Sequence, residues 1–199
     1  MIFGGRAVLA ILAPLALAGA APRADPGASL PSNPEMAAIF KADQDARSDL
    51  VNVDWNKVAA DDAERRRRTK ALLDGGKLSS GEDFWHAAFI FQHGNTPDDY
   101  LLAHTLAVVA VARGRTNATW IASATLDRYL QAIGRKQVFG TQYSTKPGEP
   151  TTQEPYDRTL ISDSLREALG VPGQAQQEAK RAEFEAQARA REAAERKRK

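Results

Sequence analysis

The chain has 199 residues, of which 43% are hydrophobic and 26% charged, and it contains no cysteine. This length fits one ordinary domain with tails, and the lack of cysteine excludes disulfide bonds and thiolate metal sites. Residues 21–173 carry 18 basic and 20 acidic side chains, whereas residues 174–199 carry 8 basic and 5 acidic ones. The basic charge therefore belongs to the C-terminal tail, and no nucleic-acid partner is predicted, because such domains concentrate basic and base-stacking side chains on one surface.

The first twenty residues, MIFGGRAVLAILAPLALAGA, have the layout of a secretory signal peptide. Arg6 precedes an apolar run that closes on the small-residue triplet at 18–20, so cleavage is expected before Ala21. An uncleaved membrane anchor is the less favoured alternative, because the apolar run contains Pro14 and is shorter than the about 20 residues that span a bilayer. The sequence thus predicts an exported protein, periplasmic or secreted, with no transmembrane span after cleavage.

Residues 21–34 are rich in proline, alanine and serine and predict a flexible lead-in, followed by a helical domain at 35–173. The spacing of apolar residues then favours helix almost throughout. Five helices are expected: residues 36–49; from Trp55 to Gly75-Gly76; from Ser80 to Gly94; from Thr96 to Gly114; and from Asn117, as N-cap, to Gly134.

Residues 135–157 contain glycine, proline and threonine in their second half and predict a long loop, with a short extended piece at 137–139. A sixth helix is expected from about Arg158 to Leu169. Residues 174–199 are rich in alanine and charged side chains, which predicts a solvated, partly frayed helix without a coiled-coil seam. Contact of this tail with an anionic polymer or membrane surface is the alternative. The predicted fold is all-α: a compact antiparallel bundle of about six helices with a long loop before the last core helix and a charged C-terminal helix.

Two histidines, His86 and His93, lie seven positions apart in the apolar stretch FWHAAFIFQHG at 84–94. They fall on one side of the predicted third helix, opposite an apolar stripe, and His104 lies on an apolar stripe of the next helix. Zinc binding by His86, His93 and His104 is the less favoured alternative, because the first two are about 10.5 Å apart along the helix axis. No metal or other cofactor is predicted, and His86 and His104 are expected to be hydrogen-bonded core residues.

The run Arg65–Arg68 is predicted to be a solvated face of the second helix. Arg66 lies on the same side of that helix as Asp62, four positions earlier, and an ion pair between them is expected. No site is predicted there.

A set of polar residues follows the apolar helices and converges on a glycine turn. The candidates are Gln92, His93, Asp127, Arg128, Gln137, Gly140, Thr141 and Gln142. Buried polar groups must be paired, or each costs several kcal/mol. The pattern therefore indicates either a polar network that holds the loop down or a small recognition pocket.

With these residues the chain resembles a widespread bacterial family of uncharacterised, often exported proteins that share a domain of unknown function. The family pattern is a Gln-His pair, an Asp-Arg pair and a Gln-x-x-Gly-Thr-Gln segment, which here are Gln92-His93, Asp127-Arg128 and residues 137–142. Longer agreement in IFQHG, DDYLLAH, LDRYL and FGTQY extends the resemblance over roughly residues 40–172. The resemblance implies export but supplies no reaction, cofactor or partner.

Three functions are consistent with the sequence. The first is a binding or interaction module of the bacterial envelope, with an envelope protein or a cell-wall component as partner. The second is a hydrolase-type enzyme in which His93 acts as general base, oriented by Asp127 and aided by a metal or not. The third is a polar network that only stabilises the fold. Whether the protein is an enzyme stays open, because no nucleophile motif such as GxSxG is present.

Overall fold

The computed structural model describes residues 30–48, 53–146 and 148–198. The predicted signal peptide and most of the predicted lead-in lie outside these residues. Within them the chain forms seven α-helices and one 3₁₀ turn: α1 (Pro34–Asp45), α2 (Trp55–Asp74), α3 (Gly81–Phe91), α4 (Pro97–Ala112), the 3₁₀ turn (Thr116–Ala118), α5 (Thr119–Ala132), α6 (Asp163–Ala168) and α7 (Gln174–Arg198). The described residues form no β-strand, only isolated bridges between Gln137 and Tyr156 and between Ser144 and Thr152. The all-α prediction is confirmed.

Side-chain caps begin the helices at the positions that the sequence predicts. The Asp54 carboxylate accepts hydrogen bonds from the first-turn amides of α2. Ser80 with Asp83 at α3, and Thr96 with Asp99 at α4, form capping boxes that pair otherwise unsatisfied backbone N–H groups.

Two predicted helix starts are wrong. Asn117 does not cap α5: it lies in the 3₁₀ turn, and the N-cap is Ala118, which makes no side-chain cap bond. The sixth helix begins at Asp163 instead of Arg158, because the Asp157 carboxylate binds the amides of Thr159 and Leu160 in a turn.

Helix α3 is the centre of the bundle. It packs against α1, α2 and α4, and α4 in turn packs against α5. Both sides of α3 are buried, including Phe84, Ala87 and Phe91 on the predicted apolar stripe and His86 and Ile90 on the other side. The apolar stripe that the sequence predicts on this helix is confirmed.

The start of α7 is part of the fold. Gln177 is buried, and the Phe184 ring packs edge-on against Tyr143 of the long loop, with 5.1 Å between the ring centroids. The predicted solvated tail is thus anchored at its first turns. None of the helices in the described ranges is long and apolar enough to cross a bilayer.

Candidate functional site

The eight candidate residues divide into two groups that have different surroundings. We call the first the loop network; it comprises Asp127, Gln137, Gly140, Thr141 and Gln142, joined by Gln153, Tyr156, Arg166 and Gln177. We call the second the α3-end cluster; it comprises Gln92, His93 and Arg128, joined by Asp43, Arg47, Asp62, Arg65 and Arg66. The adjacent residues Asp127 and Arg128 belong to different groups.

Asp127 fastens the beginning of the long loop to α5. It is fully buried, and its Oδ1 accepts hydrogen bonds from the amides of Val138 (2.8 Å) and Phe139 (3.0 Å). Its Oδ2 accepts from the Thr141 amide (3.0 Å) and hydroxyl (2.8 Å). Four donors therefore satisfy the carboxylate within the loop.

Gln137 and Gln142 close the same loop on itself. The buried Gln137 side chain donates to the carbonyls of Gln142 (2.9 Å) and Gln153, and its Oε1 accepts from the Gln142 amide at 3.0 Å. The Gln142 side chain donates to Ala124 O of α5 at 3.1 Å and to the Thr141 hydroxyl at 2.9 Å. The side-chain amides of Gln137 and Gln142 therefore bind the loop to itself and to α5.

Gly140 has no room for a side chain. Its φ is +81°, and an added Cβ would lie 2.1 Å from Gln177 Oε1 and 2.5 Å from the Tyr156 hydroxyl. Gln177 reaches this point from α7 and donates to Phe139 O (2.8 Å) and Pro172 O (2.7 Å). The glycine thus lets the C-terminal helix approach the loop.

Arg166 closes the network from α6 and has no exposed surface. Its guanidinium donates to Val138 O (3.3 Å) and to Asp163 Oδ1 (3.0 Å), while its Nε donates to Phe139 O (3.2 Å). Burial raises the pKa of the neighbouring Tyr156 phenol against the opposing effect of Arg166, so the phenol is a neutral donor.

His93 occupies a more open position at the end of α3. Its side chain is 21% exposed, and its Nε2 lies 3.6 Å from Asp43 Oδ2 and 3.5 Å from Gln92 Nε2. The carboxylate beside the ring is therefore Asp43 of α1. The predicted orientation of His93 by Asp127 is wrong, because Asp127 directs both oxygens to loop donors.

A chain of buried charges lies beneath His93 and joins α1 to α2. Arg47 donates to Asp43 Oδ1 (2.8 Å) and to Asp62 Oδ2 (2.5 Å), and Arg65 donates to Asp62 Oδ1 (2.6 Å). Burial opposes ionisation of Asp43, but its contacts with His93, Arg47 and Gln44 outweigh burial and lower its pKa. Asp43 is thus an anion at neutral pH.

Arg66 and Arg128 bind the backbone at the end of α3. Arg66 Nη1 donates to His93 O at 2.7 Å, and Arg128 Nη1 lies 3.4 Å from Gln92 O. The predicted ion pair of Arg66 with Asp62 is wrong, because Arg47 and Arg65 already occupy that carboxylate. Burial lowers the pKa of Arg128, and the charge interaction with the nearby Tyr100 phenol partly opposes this.

The three histidines have separate partners. His86 Nε2 lies 3.2 Å from Glu82 Oε1, its ring stacks on Phe40 at 4.1 Å, and burial lowers its pKa. His104 Nδ1 lies 2.8 Å from Ala122 O. Within the ranges that the structure covers, no group of three or more histidine, aspartate or glutamate side chains is arranged to hold a metal ion.

The chain of buried charges beneath His93 was not predicted, although the sequence contains a pattern that indicates it. Asp43 continues the buried stripe of Met36 and Ile39 at helical spacing. Asp62 and Arg65 share a buried stripe of α2 with Val58 and Thr69. The pattern consists of charged residues at helix positions where the periodicity requires apolar ones.

Comparisons with protein-family models, curated proteins and solved structures find no match to the chain. The resemblance to the exported bacterial family stays a prediction, and only the chemistry of the site bears on the function.

Proposed function

We propose that this protein is an exported binding module of the bacterial envelope and that its ligand binds at the α3-end cluster, beside His93. The observation that supports this is the contrast between the two groups of candidates. The loop network satisfies Asp127 and Gln137 with donors and acceptors of its own. His93 has a partly exposed ring with side-chain contacts of only 3.5 and 3.6 Å. A ligand can therefore complete the hydrogen bonding of His93 without dismantling the fold.

In this proposal the loop network has a structural role. Asp127, Gln137 and Gln142 fix residues 137–142 to α5, and the interaction partner is an envelope protein or a cell-wall component reached after export. The proposed export rests on the signal-peptide layout of residues 1–20.

The test is a thermal melt of the purified protein with soluble cell-wall fragments, both neutral and acidic. A fragment at 100 times its dissociation constant adds about 2.7 kcal/mol to the free energy of unfolding. His93→Gln is expected to melt like the wild type but to lose the ligand-induced shift. His104→Gln is the matched control, because it removes a half-buried imidazole bound to the Ala122 carbonyl and should keep the shift.

Two outcomes would contradict the proposal. If His93→Gln keeps the full shift, the ligand binds elsewhere. If His93→Gln binds nothing because it is already strongly destabilised without ligand, His93 is a structural residue like those of the loop network.

A second function, proton-transfer catalysis, is favoured by the contact between Asp43 and His93. A buried anionic carboxylate 3.6 Å from an accessible imidazole is an arrangement that general bases use. Incubating the same cell-wall fragments with the protein and measuring their masses tests it. Hydrolysis that Asp43→Asn reduces by about 10²–10⁴-fold supports an enzyme, and unchanged masses reject it for these substrates.

A further inference from the structure

Two of the four arginines in the α3-end cluster have no carboxylate partner. Arg47 and Arg65 form ion pairs with Asp43 and Asp62. Arg66 forms no ion pair with any residue that the structure describes, and the same holds for Arg128. Arg66 and Arg128 therefore bring to the cluster two positive charges that form no ion pair with a carboxylate of the described residues.

These two arginines bind adjacent backbone carbonyls. Arg66 binds the carbonyl of His93, and Arg128 approaches the carbonyl of Gln92, the preceding residue. The two guanidiniums thus flank the same end of α3, where the partial negative charge of a helix C-terminus attracts cations.

The hydrogen bonds to the end of α3 use only some of the N–H donors of Arg66 and Arg128. A guanidinium has five N–H donors, and each of these carbonyls accepts one bond from it. Arg128 Nε is buried and has no hydrogen-bond partner among the described residues. A buried donor without an acceptor lowers stability, so the described residues do not fully satisfy the guanidinium of Arg128.

We propose that Arg66, Arg128 and His93 form a binding site for a phosphate group. Guanidinium forks match phosphate oxygens in geometry and charge, and a phosphate dianion would balance the charges of Arg66 and Arg128. The partly exposed ring of His93, the residue whose carbonyl accepts from Arg66, supplies a further donor. This inference rests on the proposed function and names the chemical class of its ligand.

The decisive measurement is titration calorimetry of the purified protein with inorganic phosphate at an ionic strength held constant with chloride. Loss of one charge-assisted hydrogen-bonding partner is expected to weaken binding by about 10–100-fold in Arg66→Gln. Arg67→Gln is the matched control. It removes the same charge one residue further along α2, where Arg67 is exposed and paired with Glu64, and it should change affinity by less than about threefold.

His93→Gln and Arg128→Gln complete the series. Both are expected to weaken phosphate binding. If Arg128→Gln does not fold, the affinities of Arg66→Gln and His93→Gln for phosphate test the site.

Three results would overturn the phosphate site: no heat of binding beyond the chloride control, equal losses in Arg66→Gln and Arg67→Gln, or tighter binding of acetate than of phosphate. Tighter binding of glycerol 3-phosphate than of inorganic phosphate would identify a phosphoester as the ligand, and the reverse would identify free phosphate; both support the site. If a neutral cell-wall fragment binds through His93 while phosphate does not, this inference fails and the proposed function stands. If neither binds, both fail.

Discussion

Replacing Asp127 with asparagine tests whether one carboxylate holds the long loop against α5. The substitution keeps the shape but puts an NH₂ group where one carboxylate oxygen accepts from the Thr141 amide and hydroxyl or from the amides of Val138 and Phe139. At least one buried donor then lacks an acceptor, which costs about 1–3 kcal/mol, and the remaining bonds lose their charge assistance, at about 1 kcal/mol each. The free energy of unfolding should fall by about 3–5 kcal/mol, and Tm by about 6–20 °C for a chain of this length.

The assay is thermal and urea unfolding followed by circular dichroism. Asp157→Asn is the matched control, because the Asp157 carboxylate also accepts hydrogen bonds from backbone amides, but in an exposed turn. It should melt like the wild type. If Asp127→Asn also melts within about 2 °C of the wild type, well below the expected shift, the loop is held by other contacts and the structural role assigned to Asp127 is wrong.

Three further predictions concern other parts of the fold. Gly140→Ala should lower Tm much more than Gly148→Ala, because both glycines have positive φ but only Gly140 has atoms within 2.1 Å of the added Cβ. Gln177→Ala should destabilise the protein by about 2–4 kcal/mol through unpaired buried carbonyls, whereas Gln187→Ala should be nearly neutral. Burial lowers the pKa of His86, so the unfolded chain binds its proton first and stability should fall as the pH drops below about 6.5; His86→Phe should remove this loss.

Each of these predictions has a result that would contradict it. Equal Tm losses in the two glycine variants would show that backbone conformation, and not the approach of α7, limits position 140. A neutral Gln177→Ala would mean that α7 is not part of the folded unit. For His86, the check is urea unfolding at pH 7.5 and 5.5: an unchanged pH dependence in His86→Phe would place the acid sensitivity elsewhere.

The helices could be predicted from local sequence because their starts depend on nearby residues. Thr96 and Asp99 are three positions apart, and the capping box that they form needs no information from the rest of the chain. The prediction was wrong at Asn117, which is suited to an N-cap but lies in a 3₁₀ turn. It was also wrong at Arg158, which lies in a turn that the Asp157 carboxylate stabilises. Turns of this kind depend on backbone geometry that composition alone does not specify.

The candidate site could be predicted only in part, because its pairings are tertiary. The sequence indicates two polar pairs, Gln92-His93 and Asp127-Arg128. It does not show that the Asp127 side chain binds the loop while the Arg128 side chain binds the end of α3. Asp43 lies 50 positions before His93, and no local pattern joins them. Such partners become visible only when the helices are packed.

The position of Gln177 in α7, after the other helices of the fold, has a consequence for the order of folding. Its side chain satisfies Phe139 O, which was synthesised 38 residues earlier. A chain that emerges from a ribosome can form α1 to α5 while Gln177 is still inside the ribosome. The carbonyl of Phe139, beside Gly140, then lacks its hydrogen bond with Gln177 until residue 177 has been released. Truncation before residue 177 should therefore leave a bundle in which the helices form but the loop around Gly140 is not bound to the rest of the fold. Proteases should cleave this loop.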